Sequence, residues 1–536
     1  MSPTLKLDSN EGPLPPAALL EALAGLDPET LRRYPDTSAL EATLAHRVGV
    51  AAERVVVTAG ADDAIDRACR SYLGPGRTMI LPDPTFEMFD RFAALAGGSL
   101  RRVPWRDGPF PGAGFLAALD ERAAVITVVS PNNPTGAVAC AADVRRLAQA
   151  APAALVLLDH AYVEYADEDL TREVIDLPNV LVIRTLSKAW GLAGCRIGYA
   201  IGNPEVVSRL RAAGGPYPVA APSVAIALRR LADDPAALHA HIACVREERT
   251  ALCTLLTALG LEPLPSQANF VYVECGARAA FLAAALAALG VLVRTFPDRA
   301  GLTTALRVTL PGDGGAFEHL GAALETALTP DALLFDLDGV LADVQHSQRA
   351  AIAATAQSFG VAVTSPQVAA AIRGGDAASD WLVTRRLIEA GGQCTSLDDV
   401  IARYQSLYMS LREREALIPT TSSLERLAAR RPLAIVTGRP RAEAEWFLER
   451  AGVAQLFGTL VAMEDAPAKP DPAPVRLALE RLGVRRAWMI GDTPDDMRAA
   501  AQAGVLPIGV AAPGDEAPAG GAWVLGQLTD LLELLP

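Results

Sequence analysis

The chain runs to 536 residues, too long for one hydrophobic core, and this length predicts roughly three or four structural domains. Hydrophobic residues make up 51% and charged residues 21%, an ordinary balance for a water-soluble globular protein. The formal charge of −14 argues against nucleic acid or an anionic membrane as the main partner.

The longest apolar run, AAFLAAALAALGVLV, is alanine-rich and shorter than the ~18 residues a membrane span needs, so it predicts a buried helix followed by a strand. No leader of basic, then apolar, then small residues opens the chain, and export is not expected. Seven scattered cysteines without a CxxC pair predict reduced thiols in a cytoplasmic setting, with Cys195 a small buried residue. The basic residues are 45 arginines and three lysines, Lys6, Lys188 and Lys469. In a chain that avoids lysine, the survivors are expected where an amine is required, since arginine neither releases its proton nor forms an imine. Lys6 is read as a solvated N-terminal charge.

From about 54 to 310, short apolar strands alternate with helical segments: RVVVTAG, RTMILPD, AAVITVVS, ALVLLDHAY and VLVIRTLS. Continuous apolar runs of this length predict strands covered on both faces, in a mostly parallel sheet. After the helix GAALETAL a fresh strand, ALLFDLDG, starts a second α/β pattern. A polar helical region over about 345–417 follows, and the alternation resumes at PLAIVTG and AWMIGD. The junction, LTPDA, is only a few residues, which predicts two parts held close together.

The strand ends of the first part carry chemistry in order. Gly60 and Ala61 turn a strand into a helix, where free N–H groups suit a phosphate. PDPTFEMFD places Phe86 and Phe89 after a strand, and SPNNPTG holds Asn133 in a rigid turn. LLDHAY puts Asp159 at a strand end with Tyr162 three residues on, and TLSKAWGLAGCR carries Thr185, Ser187, Lys188 and Arg196. Singly these signals are weak. Together they meet the needs of pyridoxal phosphate: a lysine amine for an imine, a carboxylate for the pyridine nitrogen, donors for the ring hydroxyl, an aromatic face and a phosphate cradle with an arginine.

With LDSNEGP, RYPD, GPYPVAAPS, SQANF and the pair VLVRTF and LRVTL, residues 1–328 resemble the fold-type I aminotransferases, and more closely the histidinol-phosphate aminotransferase family. The resemblance implies a large domain over about 35–215 and a small domain from 1–34 plus 216–328. It implies that Lys188 forms the imine and relays the proton, that Asp159 pairs with the pyridinium nitrogen, and that Asn133 and Tyr162 hold the ring hydroxyl. Phe89 would stack on the ring, with Phe86 close by. Gly60, the backbone of Ala61 and Asp62, Thr185, Ser187 and Arg196 would bind the cofactor phosphate. Tyr34 would reach it from the second subunit of a homodimer, and Arg294 and Arg307 would clamp the anionic end of the substrate. The chain departs from the family in having Phe for Tyr in the PTY-x-x-Y segment, Ala61 for a frequent Ser, His160 for an acidic residue, and PGDGG after LRVTL.

The second part opens with LLFDLDGVLADV, which sets Asp336 and Asp338 at the end of an apolar strand. Thr437 in IVTGRP, Lys469 in AKPDP, and Asp492 and Asp496 in WMIGDTPDD follow. Parallel strand ends converge on one edge, where ligands bind. Carboxylates, a hydroxyl and an amine gathered there predict a divalent-metal phosphoryl site, with hard oxygen ligands suited to Mg²⁺. This order resembles the phosphatase branch of the haloacid dehalogenase superfamily over 331–536, a Rossmann-like domain with a helical cap over about 345–417. By resemblance, Asp336 is the nucleophile that becomes an aspartyl-phosphate, and Asp338 is the acid and base. Thr437 and Lys469 neutralise the transferring oxygens. Asp336, the Asp338 carbonyl and Asp492 bind Mg²⁺, and Asp496 supports the loop. In the cap, Asp380 and Trp381 are candidates for the pocket, with burial of the tryptophan inside the cap the leading expectation. The histidines of HAH (239–241) and His346 are read as structural, because residues two apart on a helix face different ways.

The combined expectation is an α/β, bifunctional enzyme of histidine biosynthesis. It would aminate imidazole-acetol phosphate with glutamate and then hydrolyse histidinol phosphate, with phosphorylated small molecules as its partners. Decarboxylation of threonine phosphate or amination of aromatic keto acids stays open for the first part. A phosphoglycolate or general phosphatase, or a non-catalytic phosphate-binding module, stays open for the second.

Overall fold

A computed structural model of the protein describes residues 4–374 and 379–535, which fold as two compact units. One is built from Lys6–Gly276 with Val293–Glu318, the other from Ala277–Leu292 with the chain from His319 onward. The second unit therefore takes in segments that lie before the sequence boundary near 330.

In the first unit the predicted strands line up as a seven-stranded sheet, in the order Val55–Thr58, Gly198–Gly202, Val180–Thr185, Leu155–Asp159, Ala123–Val129, Thr78–Asp83, Ser99–Pro104. It is parallel except for Gly198–Gly202, which runs antiparallel to both neighbours. That strand, GYAIG, is too glycine-rich to stand out as an apolar run. Ala123–Val129 is buried at every position, as a strand covered on both faces requires. Helices Ala61–Tyr72 and Met88–Leu95 contribute Ile65 and Phe89 to a core completed by Met79, Val125 and Leu157. Because the strands are parallel, Thr58, Asp159 and Thr185 all emerge at one sheet edge. Antiparallel strands Phe270–Glu274 and Ala305–Thr309 pair with each other, and on the far side of the latter Arg294 faces Arg307 directly.

The second unit holds a six-stranded, all-parallel sheet in the order Phe457–Val461, Leu433–Val436, Ala332–Phe335, Ala487–Gly491, Leu506–Val510, Trp523–Leu525. The alanine-rich run forms the expected helix, Ala279–Ala288, and packs against the last two of these strands. The Phe281 ring meets Trp488 edge-on at 5.4 Å and Trp523 at 5.8 Å. The Trp488 indole in turn donates to the Thr326 carbonyl at 2.8 Å. Burying a phenylalanine of this kind is worth roughly 2–3 kcal/mol.

Four helices, Gln348–Ser358, Ser365–Arg373, Asp380–Ala390 and Leu397–Leu411, make the cap around a core of Ile352, Val383, Tyr404 and Tyr408. An antiparallel ribbon of Ala342–Asp343 with Ala416–Leu417 carries the chain into and out of it. Among the described residues no helix is long and apolar enough to cross a membrane, and no disulfide joins any of the seven cysteines.

Candidate active sites

The first site is a cavity of about 320 Å³ in the first unit, at the edge where the parallel strands end. Lys188, Asp159, Asn133, Tyr162, Thr185, Ser187, Arg196, Ala61, Asp62, Arg294 and Arg307 all line it, so residues spread over 250 positions meet in one place. The lysine amine lies 3.5 Å from the Ser9 carbonyl and 5.4 Å over the Tyr162 ring. Asp159 is 4% exposed, and among the described residues its carboxylate accepts the Ala161 N–H alone, at 3.0 Å. Burial pushes its pKa up to about 7. A buried carboxylate that makes no ion pair among the described residues, and feels only the weaker pull of Lys188, suits a protonated ring nitrogen.

The phosphate side is equally specific. Gly60 precedes helix Ala61–Tyr72 with φ of 83°, and a Cβ there would lie 2.4 Å from the Arg196 guanidinium. Arg196 itself takes a left-handed backbone, φ 52°, which turns its side chain toward Asp62 at 3.3 Å. The Thr185 hydroxyl donates to that of Ser187 at 2.8 Å. Free helix N–H groups, two hydroxyls and a guanidinium fit a phosphate group.

Two expected residues stand elsewhere. Phe89 is wholly buried in the core and does not line the cavity, whereas Phe86, edge-on to it at 6.3 Å, does. The inward phase of helix Met88–Leu95 claims Phe89, and Phe86, two residues ahead of the helix, supplies the free aromatic face. Tyr34 is 77% exposed and stacks on Tyr217, 4.2 Å between ring centres, outside this chain's own cavity. His160 is buried beside Thr171 and Asp169, with burial pushing its pKa down to about 3, a neutral structural residue as read.

The arginines are already engaged. Arg307 is buried, donating to Asn133 Oδ1 at 2.6 Å and to the Asp8 carbonyl at 2.9 Å, and burial lowers its pKa to about 10. Arg294 pairs with Glu87 at 3.3 Å. Asn10 carries a role that sequence reading missed: with φ of 56° it donates from Nδ2 to the Tyr162 hydroxyl at 2.9 Å and accepts from Thr309 at 2.8 Å. Its signal was present in LDSNEGP, as one of the few residue types that tolerate a left-handed backbone.

The buried Asp159 gives a stability prediction. The unfolded chain releases this proton near pH ~4, the folded chain near 7, so the contribution of this group to native stability is fullest below 4 and is lost as pH rises through that window. The cofactor-free Asp159→Asn chain is therefore expected to lose less stability between pH 5 and 8 than the cofactor-free wild type, by a few kcal/mol. Denaturant melts across that range check it, and parallel pH profiles would refute it.

The second site is a cavity of about 170 Å³ in the second unit, at the carboxyl edge of the six-stranded sheet. Asp336, Asp338, Lys469 and Asp492 line it. The Lys469 amine bridges Asp336 at 2.8 Å and Asp496 at 2.5 Å and donates to the Val436 carbonyl at 3.0 Å. Burial alone would lower its pKa, but Asp336 and Asp496 hold it well above the usual lysine range. Burial also raises Asp336, against the pull of Lys469, and raises Asp492, where the neighbouring carboxylates add to it.

Carboxylate oxygens of Asp336, Asp492 and Asp496 lie within 4.8 Å of one another, and Asp492 Oδ1 is buried with no hydrogen-bond partner among the described residues. A hard divalent cation fits this donor set. Asp496 is thus more than a loop support: it caps helix Pro494–Ala503 through Thr493, pairs with Lys469 and faces the same point. The Asp338 side chain turns instead to Arg439, whose Nε donates at 2.6 Å. Space at Gly339 is exhausted, since a Cβ would lie 2.1 Å from Asp492 Oδ2.

Thr437 sits buried at its strand end, its hydroxyl accepting the Arg439 N–H at 3.1 Å, and Gly438 beside it lines the cavity in its place. Asp380 and Trp381 both line the cavity, so the tryptophan is not confined to the cap interior. Arg439, which bridges Asp338 and buried Glu415 at 2.9 Å, went unread because one arginine among 45 carries no signal.

Comparison with known proteins places both halves. Residues 2–322 match the family described as aminotransferase class I and II, and residues 330–504 match haloacid dehalogenase-like hydrolase. The chain is similar to histidinol-phosphate aminotransferase of Acetobacter pasteurianus, 34% identical over 62% of this chain and 94% of that protein. It is likewise similar to an aromatic amino acid aminotransferase of Rhodococcus jostii, 37% identical over 60% and 90%. Among solved structures, histidinol-phosphate aminotransferase from Sinorhizobium meliloti in complex with pyridoxal-5'-phosphate matches with a TM-score of 0.55 and 29% identity, over 60% of this chain and 89% of that one.

Proposed function

Because this chain belongs to the aminotransferase class I and II family and continues into a haloacid dehalogenase-like hydrolase, we propose that it performs two consecutive steps on one phosphorylated substrate. The first is transamination of imidazole-acetol phosphate by glutamate, the second hydrolysis of the resulting histidinol phosphate. The observation that carries this reading is the presence, in one chain, of an amine-bearing cavity around Lys188 and a nucleophile cavity around Asp336. Transamination is close to balanced, and hydrolysis of its product draws it forward.

In the first site, pyridoxal phosphate when bound supplies an electron-accepting ring. Asp159 keeps the proton on the ring nitrogen. Tyr162 and the Asn133 amide, whose Oδ1 is occupied by Arg307, hold the ring hydroxyl, and Phe86 presents the stacking face. The Ala61 and Asp62 N–H groups, Thr185, Ser187 and Arg196 hold the phosphate. Lys188 Nζ takes and returns the proton at the substrate's reacting carbon. Arg294 and Arg307 bind the substrate anion, with Glu87 released from Arg294 as the anion arrives. Tyr34, exposed on its own chain, completes the phosphate site of a second subunit in a homodimer.

In the second site, Mg²⁺ would be held by Asp336, Asp492 and the Asp338 carbonyl and would offset charge as phosphate approaches. An Asp336 oxygen attacks phosphorus as the bond to the substrate's alkoxide breaks, and Asp338 delivers the proton to that alkoxide. A water then attacks the aspartyl-phosphate, Asp338 takes its proton, and inorganic phosphate leaves with Asp336 restored. Lys469 offsets the charge on the transferring oxygens, and Thr437 orders the loop beside them through the Arg439 N–H. A cytoplasmic setting is part of the same reading, supported by seven cysteines none of which is joined in a disulfide.

Supplying the full chain with imidazole-acetol phosphate, glutamate and Mg²⁺ is expected to yield 2-oxoglutarate, histidinol and inorganic phosphate together. Phosphate release that proceeds equally without glutamate, or 2-oxoglutarate that never forms, would overturn the pairing.

A further inference from the structure

At the phosphoryl end of the second cavity, four carboxylates are held in ion pairs by two cations. Lys469 answers Asp336 and Asp496, and Arg439 answers Asp338 and Glu415. Arg349, also on the wall, is taken by Asp515 at 2.6 Å. Toward the cap, the charges of Arg439 and Arg349 reach Asp380, and that of Arg439 reaches Glu443, without closing an ion pair among the described residues. Asp380 and Glu443 both line the cavity, and among the described residues neither has a cation at ion-pair distance. Each is instead fixed by a neutral donor from adjacent positions of one helix. The Tyr404 hydroxyl donates to Asp380 at 2.7 Å and the Gln405 amide to Glu443 at 3.0 Å. Asp380 also opens helix Asp380–Ala390, where the helix dipole favours an anion. Trp381 beside it adds an aromatic wall able to face a cation. Burial raises both carboxyls, Asp380 to about 6.

Resting on the reading of this cavity as a phosphomonoesterase, we propose that Asp380 and Glu443, with Trp381, select phosphate esters that carry an ammonium group. The selected group is the one transamination installs. An ester still bearing its keto group offers no such ammonium, so hydrolysis is confined to the aminated product, and an anionic ester such as phosphoglycolate is repelled. Neutral tyrosine and glutamine supports keep both carboxylates oriented without quenching their charge, which a lysine or arginine partner would do.

The test is a panel of esters on the full chain with Mg²⁺: histidinol phosphate against imidazole-acetol phosphate, and phosphoethanolamine against phosphoglycolate. The ammonium member of each pair is expected to lead in kcat/KM by roughly tenfold or more. The ratio is expected to fall to within about threefold in the double variant Asp380→Asn with Glu443→Gln, through a rise in KM for the ammonium esters. A wild-type panel that is flat, or that favours the keto or anionic members, overturns the selection by itself, without depending on how any variant folds. Absence of hydrolysis of every ester would sink the phosphatase reading and the selection with it, whereas a flat panel with brisk hydrolysis sinks the selection alone.

Discussion

Asp336→Asn is expected to lower phosphate release from histidinol phosphate by roughly 10⁴-fold, about 5 kcal/mol of transition-state stabilisation, while 2-oxoglutarate formation continues. The size follows from what the side chain does. An amide of the same shape keeps the packing at the strand end but cannot form the acyl-phosphate bond. The Lys469 ammonium, now facing Asp496 alone, still offers charge but no nucleophile. Phosphate released over time by the purified variant settles it. Retention of a tenth of wild-type activity would mean that another group attacks phosphorus.

Lys188→Arg is expected to cost transamination at least ~10³-fold and to leave phosphate release from added histidinol phosphate in place. The substitution preserves a cation over the Tyr162 ring and near the Ser9 carbonyl, so any role that needs only charge would survive it. A role that needs an amine able to bond carbon and to exchange its proton would not. Stopped-flow absorbance with glutamate reads the chemistry. Borohydride reduction followed by peptide mapping should tag position 188 in the wild type and no position in the variant.

Much of both sites was legible because chemistry and topology coincide. Asp159, Asp336 and Asp492 each follow an apolar run, and a parallel sheet delivers such ends to one edge, so order along the chain became neighbourhood in space. Lys188 and Lys469 stood out because the chain otherwise writes its cations as arginine. The choice between Phe86 and Phe89 turns on the phase of one short helix, which spacing does not settle. Asn10 meets Tyr162 and Thr309 from 152 and 299 positions away, contacts no local pattern encodes. Arg439 and the paired supports Tyr404 and Gln405 act through side chains whose partners appear only once the cap is packed. The strand Gly198–Gly202 was hidden by its glycines, one of which closes against the Gly60 backbone, with a Cβ there 2.3 Å from Gly60 C.

The wedge of Phe281 between Trp488 and Trp523 bears on how this molecule can be taken apart. A gene cut near codon 330, the natural place by sequence, would strip the hydrolase of a wall it never builds for itself and leave two indoles bare to solvent. The complementary fragment would keep the alanine-rich helix without the two strands it packs against here. Dissection that respects the fold has to carry the 277–292 segment along with the hydrolase, even though that piece is interleaved with transaminase strands.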